Sequence, residues 1–121
     1  MARQYLQYLN DIRDAVSSIK EITDNQEYEA FKNNKPVVAA VVHYFCRIGE
    51  AVTHIPDEVK EGEEGIPWNQ IIRLRNILVH RYWAIQRPTL WRIIQNDLNA
   101  LESRVGEEHL IEEIFARHPD S

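Results

Sequence analysis

A chain of 121 residues with 44% hydrophobic and 27% charged residues has a globular composition, long enough for a single core. Its net charge of −5 argues against a general nucleic-acid coat, which needs a basic protein, though not against a focused anion site. One cysteine, Cys46, excludes an intramolecular disulfide and any cysteine-based zinc site, and its apolar surroundings read as a buried thiol in a reducing compartment. Four glycines and five prolines leave no room for a long flexible linker, so one domain is expected over 1–121. The start, MARQYLQYLNDIRD, lacks the apolar core of a secretory signal, and no stretch approaches the ~20 apolar residues of a membrane span. A cytoplasmic protein is expected.

Tyr5, Leu9, Ile12, Val16 and Ile19 are spaced 4, 3, 4, 3, which predicts a long amphipathic helix over 3–23. A short helical piece over 26–33 follows, and Asn33-Asn34-Lys35 breaks it. Pro36, Pro67 and Pro88 each stand at the start of a helical pattern, where a missing N–H is harmless. The pattern from 36 to 55 turns Val38, Val41, Val42, Phe45, Ile48 and Val52 inward and stops at Pro56. Residues 57–65, with four glutamates and two glycines, read as a solvated loop. The next helix, over 67–80, buries Ile71, Leu74, Ile77 and Leu78, and another over 89–105 buries Leu90, Ile93, Ile94, Leu98 and Leu101. Gly106 ends it, and 107–117 is read as a short last helix. Nothing alternates with period two for long enough to form a strand. The expected fold is all-α, an antiparallel bundle of four main helices with short additional ones.

The chemistry concentrates in one place. Between 66 and 96 the chain carries five arginines and no acidic residue, an exception in an acidic protein. Within it lies Arg75-Asn76-Ile77-Leu78-Val79-His80-Arg81-Tyr82. A cation near an imidazole that titrates close to neutrality suits phosphodiester cleavage. Yet five residues turn an ideal helix by about 500°, so Arg75 and His80 diverge by about 140°. They converge only at a frayed helix end or with a second copy of the segment. Asn76 and His80, four apart, share a face, where Asn76 is placed to orient the imidazole. Spacing alone leaves two readings open: a catalytic pair, or two helix-surface residues with the histidine favoured by the helix dipole. His43, Arg47 and Glu50 share another helix face, read as turned to water rather than lining a cleft. His54, His109 and His118 lack a second ligand at metal spacing. Trp68, Trp83 and Trp91 read as core or interface anchors.

Taken with Tyr8-Leu9-Asn10-Asp11-Ile12, Ile48-Gly49-Glu50-Ala51, Ile66-Pro67-Trp68 and Leu90-Trp91, in this order, the Arg75–Tyr82 motif resembles the HepT-like branch of the HEPN domains. The resemblance spans nearly the whole chain. It implies a homodimer whose paired motifs form a cleft, acting as a metal-independent ribonuclease that needs no cofactor. It also implies a toxin whose genomic neighbour is a minimal, MntA-like nucleotidyltransferase antitoxin. Position by position, Arg75 and His80 match the catalytic pair and Asn76 the polar residue after the arginine. Tyr82 matches the tyrosine that such antitoxins adenylylate. Arg81 and the arginine track to Arg92 depart from the pattern without touching the motif. The expected partners are RNA and that antitoxin, with no membrane. The alternative, from another class, is a non-catalytic helical subunit that binds a nucleotidyltransferase and presents its substrate. The acidic segments at 57–64 and 107–113 are candidate docking surfaces for that role.

Overall fold

A computed structural model describes residues 4–63, 65–81, 86–99 and 101. Those residues are helical with no strand among them, as the sequence patterning predicts. Helix α1 (Gln4–Thr23) buries Tyr5, Leu9, Ile12, Ala15, Val16 and Ile19, the predicted face. Its carbonyl end is satisfied locally: Thr23 Oγ1 donates to Ile19 O at 2.7 Å and Gln26 Nε2 to Ile22 O at 3.0 Å. Asn25, with φ 59°, then turns the chain through the left-handed region, which asparagine tolerates better than most residues.

Helix α2 (Tyr28–Lys32) is a single turn anchored by the fully buried Phe31. Helix α3 (Lys35–Thr53) starts where Asn34 accepts a hydrogen bond from the Val37 amide at 3.3 Å, with Pro36 in the first turn. It buries Val41, Phe45, Ile48, Gly49, Ala51 and Val52, and packs against α1 on one side and against α5 (Trp68–Arg81) on the other. Tyr8, early in α1, meets His54 just past the end of α3, so these two helices run in opposite directions.

The reading of 57–65 as a solvated loop is corrected in part. Helix α4 (Asp57–Glu61) forms there because Asp57 and Glu58 suit the positive end of a short helix. Val59 then buries against the core. The segment is fastened from the other side by Trp68, whose indole N–H donates to Lys60 O at 3.2 Å and Glu63 O at 3.1 Å. Trp68 is thus the core anchor that the sequence suggested.

Helix α6 (Arg87–Arg92) runs into a π-helical stretch, Ile93–Asp97, that no local sequence signal announced. Leu90, Ile94, Leu98 and Leu101 face the core, and Trp91 lies against Phe31 with ring centres 4.9 Å apart. Arg87 donates to the Lys32 carbonyl and Lys20 to the Asn99 side chain, tying this last stretch to α2 and α1. The predicted helix over 107–117, the far end of the one over 89–105, Trp83, His109 and His118 lie outside the described residues.

Candidate active site

Helix α5 carries Arg73, Arg75, Asn76, His80 and Arg81 because its apolar positions are spent elsewhere: Trp68 and Leu78 are buried, and Ile71, Ile72 and Leu74 pack partly against the core. Ile77, expected to be buried, is instead exposed along with Val79, and the other positions are free to be polar. The helix remains regular through Arg81, so His80 sits in its last turn rather than beyond it. Arg75 and His80 therefore point apart, as the helix arithmetic requires. No hydrogen bond or ion pair joins them. His80, Asn76, Arg73 and Arg81 are exposed, while Arg75 is half-buried. Tyr82 lies outside the described residues.

Arg75 turns toward α3. Its aliphatic stem lies on Gly49, so closely that a Cβ at position 49 would fall 2.1 Å from the Arg75 Cβ and 2.4 Å from its Cγ. No other residue type fits there without moving the arginine. The guanidinium is held on two sides. Nη2 donates to Glu50 Oε2 at 2.8 Å and Nη1 donates to Asn76 Oδ1 at 2.9 Å. The second Glu50 oxygen, Oε1, lies 3.4 Å from His54 Nε2. The His54 ring stacks on Tyr8 with centroids 4.5 Å apart and planes 14° apart. A continuous line of contacts thus crosses α1, α3 and α5.

The sequence reading of Glu50 as turned to water holds for its exposure, since its side chain is 55% accessible, but not for its role as the Arg75 partner. His43 and Arg47 are exposed as expected. Asn76 engages Arg75 rather than His80, so its expected part in orienting the imidazole is not seen here. Glu50, expected to face water, and His54, read only as lacking a metal partner, join Arg75 in one cluster. Their i, i+4 spacing and the Gly49-Glu50 pair were the available signals. Exposed ion pairs of this kind contribute about 0–1 kcal/mol, so the cluster does not account for the fold's stability. Among the described residues no group of three or more His, Cys, Asp or Glu side chains is arranged to hold a metal.

The ribonuclease HepT-like family matches residues 12–107, which take in Gly49, Glu50, Arg75, Asn76 and His80. The chain belongs to the ribonuclease HepT-like family. Its relatives include a Methanocaldococcus jannaschii protein provisionally named an RNase, 34% identical over 98 residues covering 81% of this chain and 90% of the relative. A Thermococcus cleftensis protein provisionally named ribonuclease HepT is 33% identical over 104 residues, 86% of this chain and 94% of its own. A second provisionally named M. jannaschii RNase is 32% identical over 114 residues, 94% of this chain and 93% of its own. No solved structure matches. By family, this HepT-like chain is a ribonuclease, and no helix among the described residues is long and apolar enough to cross a membrane.

Beside the site, partial burial pushes the Cys46 thiol up from its ordinary value, and the Arg75 cation pulls it partly back. Because Cys46 is the chain's one cysteine, its alkylation rate in the native protein is sensitive to both its burial and the Arg75 charge. Arg75→Ala is expected to move the midpoint of the alkylation rate-against-pH curve upward and to slow alkylation at any pH below it. An unchanged or lowered midpoint would show that the Arg75 charge does not outweigh the desolvation its side chain adds.

Proposed function

We propose that this HepT-like chain is the toxin of a toxin–antitoxin pair, a metal-independent endoribonuclease in which Arg75 and His80 carry the cleavage. The observation that carries the reading is the family match, whose residues include the complete Arg75-x-x-x-x-His80 motif in the second half of α5. RNA supplies its own nucleophile. The 2′-oxygen attacks phosphorus, the P–O2′ bond forms and the P–O5′ bond breaks. One histidine accepts the 2′-hydroxyl proton and a second donates a proton to the departing 5′-oxygen. The products are a 2′,3′-cyclic phosphate and a 5′-hydroxyl. Arg75 stabilises the charge that gathers on the phosphorane oxygens.

Two copies of His80 require two chains. A homodimer with paired α5 ends answers the divergence of Arg75 and His80, because a two-fold axis sets one chain's histidine beside the other's arginine. Support comes from Ile77 and Val79, large apolar side chains that are 38% and 49% exposed on the same helix end as His80. Light scattering at micromolar concentration is expected to return twice the 14.3 kDa chain mass. A clean monomer would remove the shared cleft.

For catalysis, His80→Ala and Arg75→Ala are each expected to lower RNA cleavage by about 10²–10⁴ with unchanged helical circular dichroism. EDTA is expected to have no effect. Arg75→Lys is expected to be poor as well, since lysine lacks the planar two-pronged donor. His80→Ala cleaving at the parental rate would refute the assignment and favour the alternative, a non-catalytic nucleotidyltransferase subunit.

Neutralisation is assigned to a neighbouring MntA-like nucleotidyltransferase that adenylylates Tyr82, two residues past His80. The phenol oxygen attacks the α-phosphorus of ATP, pyrophosphate leaves, and the phenol proton passes to solvent or base. The attached AMP brings a negative charge and bulk two residues past His80 in the chain, where it would compete with RNA phosphate. Incubation with that enzyme, ATP and Mg²⁺ is expected to add AMP masses to the Tyr82 peptide as cleavage is lost. Silencing without a mass change, or equal silencing of Tyr82→Phe, would mean inhibition by binding alone.

A further inference from the structure

We propose that Glu50 is a positioning residue for RNA cleavage: with Asn76 it aims the Arg75 guanidinium, whose stem is seated on Gly49, at the scissile phosphate. This rests on the reading of Arg75 as the phosphate-binding residue. It gives the Gly49-Glu50 segment, otherwise without a part in the chemistry, a specific task.

Arginine side chains on helix surfaces ordinarily sample many rotamers. Arg75 is restrained at three points instead: its stem against the bare Gly49 backbone, Nη2 on Glu50 and Nη1 on Asn76. A guanidinium has five N–H donors. Two are used here, which leaves Nε–H and one hydrogen on each Nη directed away from these partners and available to phosphate oxygens. Glu50 is itself steadied, because its other oxygen faces His54 and the His54 ring rests on Tyr8. The direction of the arginine is therefore set jointly by α1, α3 and α5.

A carboxylate beside a phosphate-binding arginine is electrostatically wrong for affinity, since it offsets the positive charge. It makes sense only if orientation matters more than field, and this gives the test its sign. A role in binding would make Glu50→Gln raise KM. A role as a stand-in for the substrate phosphate, displaced when RNA enters, would make Glu50→Gln lower KM with kcat unchanged or raised. Positioning predicts a lower kcat, by roughly ten- to a hundredfold as expected for a misaimed catalytic group, with KM unchanged or lower.

The experiment compares the parent with Glu50→Gln, Glu50→Ala, Glu50→Asp, Gly49→Ala and Arg75→Ala, measuring kcat and KM on RNA, melting temperature, and the side-chain NMR signals of Arg75. Glu50→Gln and Glu50→Ala are expected to lose turnover at an unchanged melting temperature, which a merely structural role would not give. Glu50→Asp, one methylene short, is expected to fall between them and the parent. Gly49→Ala is expected to lose turnover with Glu50 intact; if it fails to fold, the Glu50 variants still decide. In the parent, a guanidinium held on both sides shows separate Nη signals, and in Glu50→Ala these merge as rotation is freed. That readout needs no activity. Parental kcat in Glu50→Gln, or unmerged Nη signals in Glu50→Ala, would overturn the proposal. If Arg75→Ala cleaves like the parent, it is instead the assignment of Arg75 that fails, and the NMR signals alone then decide whether Glu50 holds it.

Discussion

Helix α3 must bury against α1 and α5 at once, and that double contact governs the rest of the arrangement. Val41, Phe45, Ile48 and Val52 recur at steps of 4, 3 and 4, giving α3 one continuous apolar stripe that its neighbours share. Side chains on both flanks normally hold packed helices 8–10 Å apart. At Gly49 there is no side chain, and the stem of Arg75 fills the space one would occupy. An apolar residue at position 75 would fill that notch equally well. What arginine adds is a charged head that emerges from the α3–α5 seam at its solvent edge, beside Glu50.

Stability and chemistry are thereby separated in space. Leu9, Ile12, Ile19, Phe31, Val41 and Ile48 are all essentially inaccessible to solvent, and each such side chain contributes roughly 1.5–3 kcal/mol by leaving water. The polar line Tyr8–His54–Glu50–Arg75–Asn76 lies at the rim, with Glu50 and His54 about half exposed. Surface charges in that setting hold geometry without holding the fold. A site built this way tolerates substitution without unfolding, which allows catalytic and structural roles to be told apart by experiment.

The apolar spacing made the long helices readable, because one buried stripe per helix leaves its period in the sequence. Helix α4 is not legible in the sequence because its acidic residues and the following glycines mask the single inward Val59. The π-helical stretch after Arg92 has no local signature, since its hydrogen-bond pattern answers to packing by Ile94 and Leu98. In the site, the divergence of Arg75 from His80 followed from helix geometry alone and is what the structure has. The partnership of Arg75 with Glu50 was out of reach, because the two are 25 residues apart and only the packing of α3 on α5 makes them neighbours. Periodicity says which face of a helix is buried, but not which residue of another helix lies opposite.

The charge pattern gains meaning from that partnership. The chain is acidic overall, and Arg75 already has a carboxylate on it. Under the proposed reading, the attraction of RNA to this surface therefore falls to Arg73, Arg81 and Arg92, exposed cations on the acid-free segment over 66–96. Their field reaches only about a Debye length, roughly 8 Å in physiological salt, so it acts close to each of them and not over the whole acidic surface. Attraction and aim are then carried by different arginines. The exposed ones supply field and lose it to screening as salt rises. Arg75, half-buried and seated on Gly49, owes its orientation in part to packing, which salt does not screen.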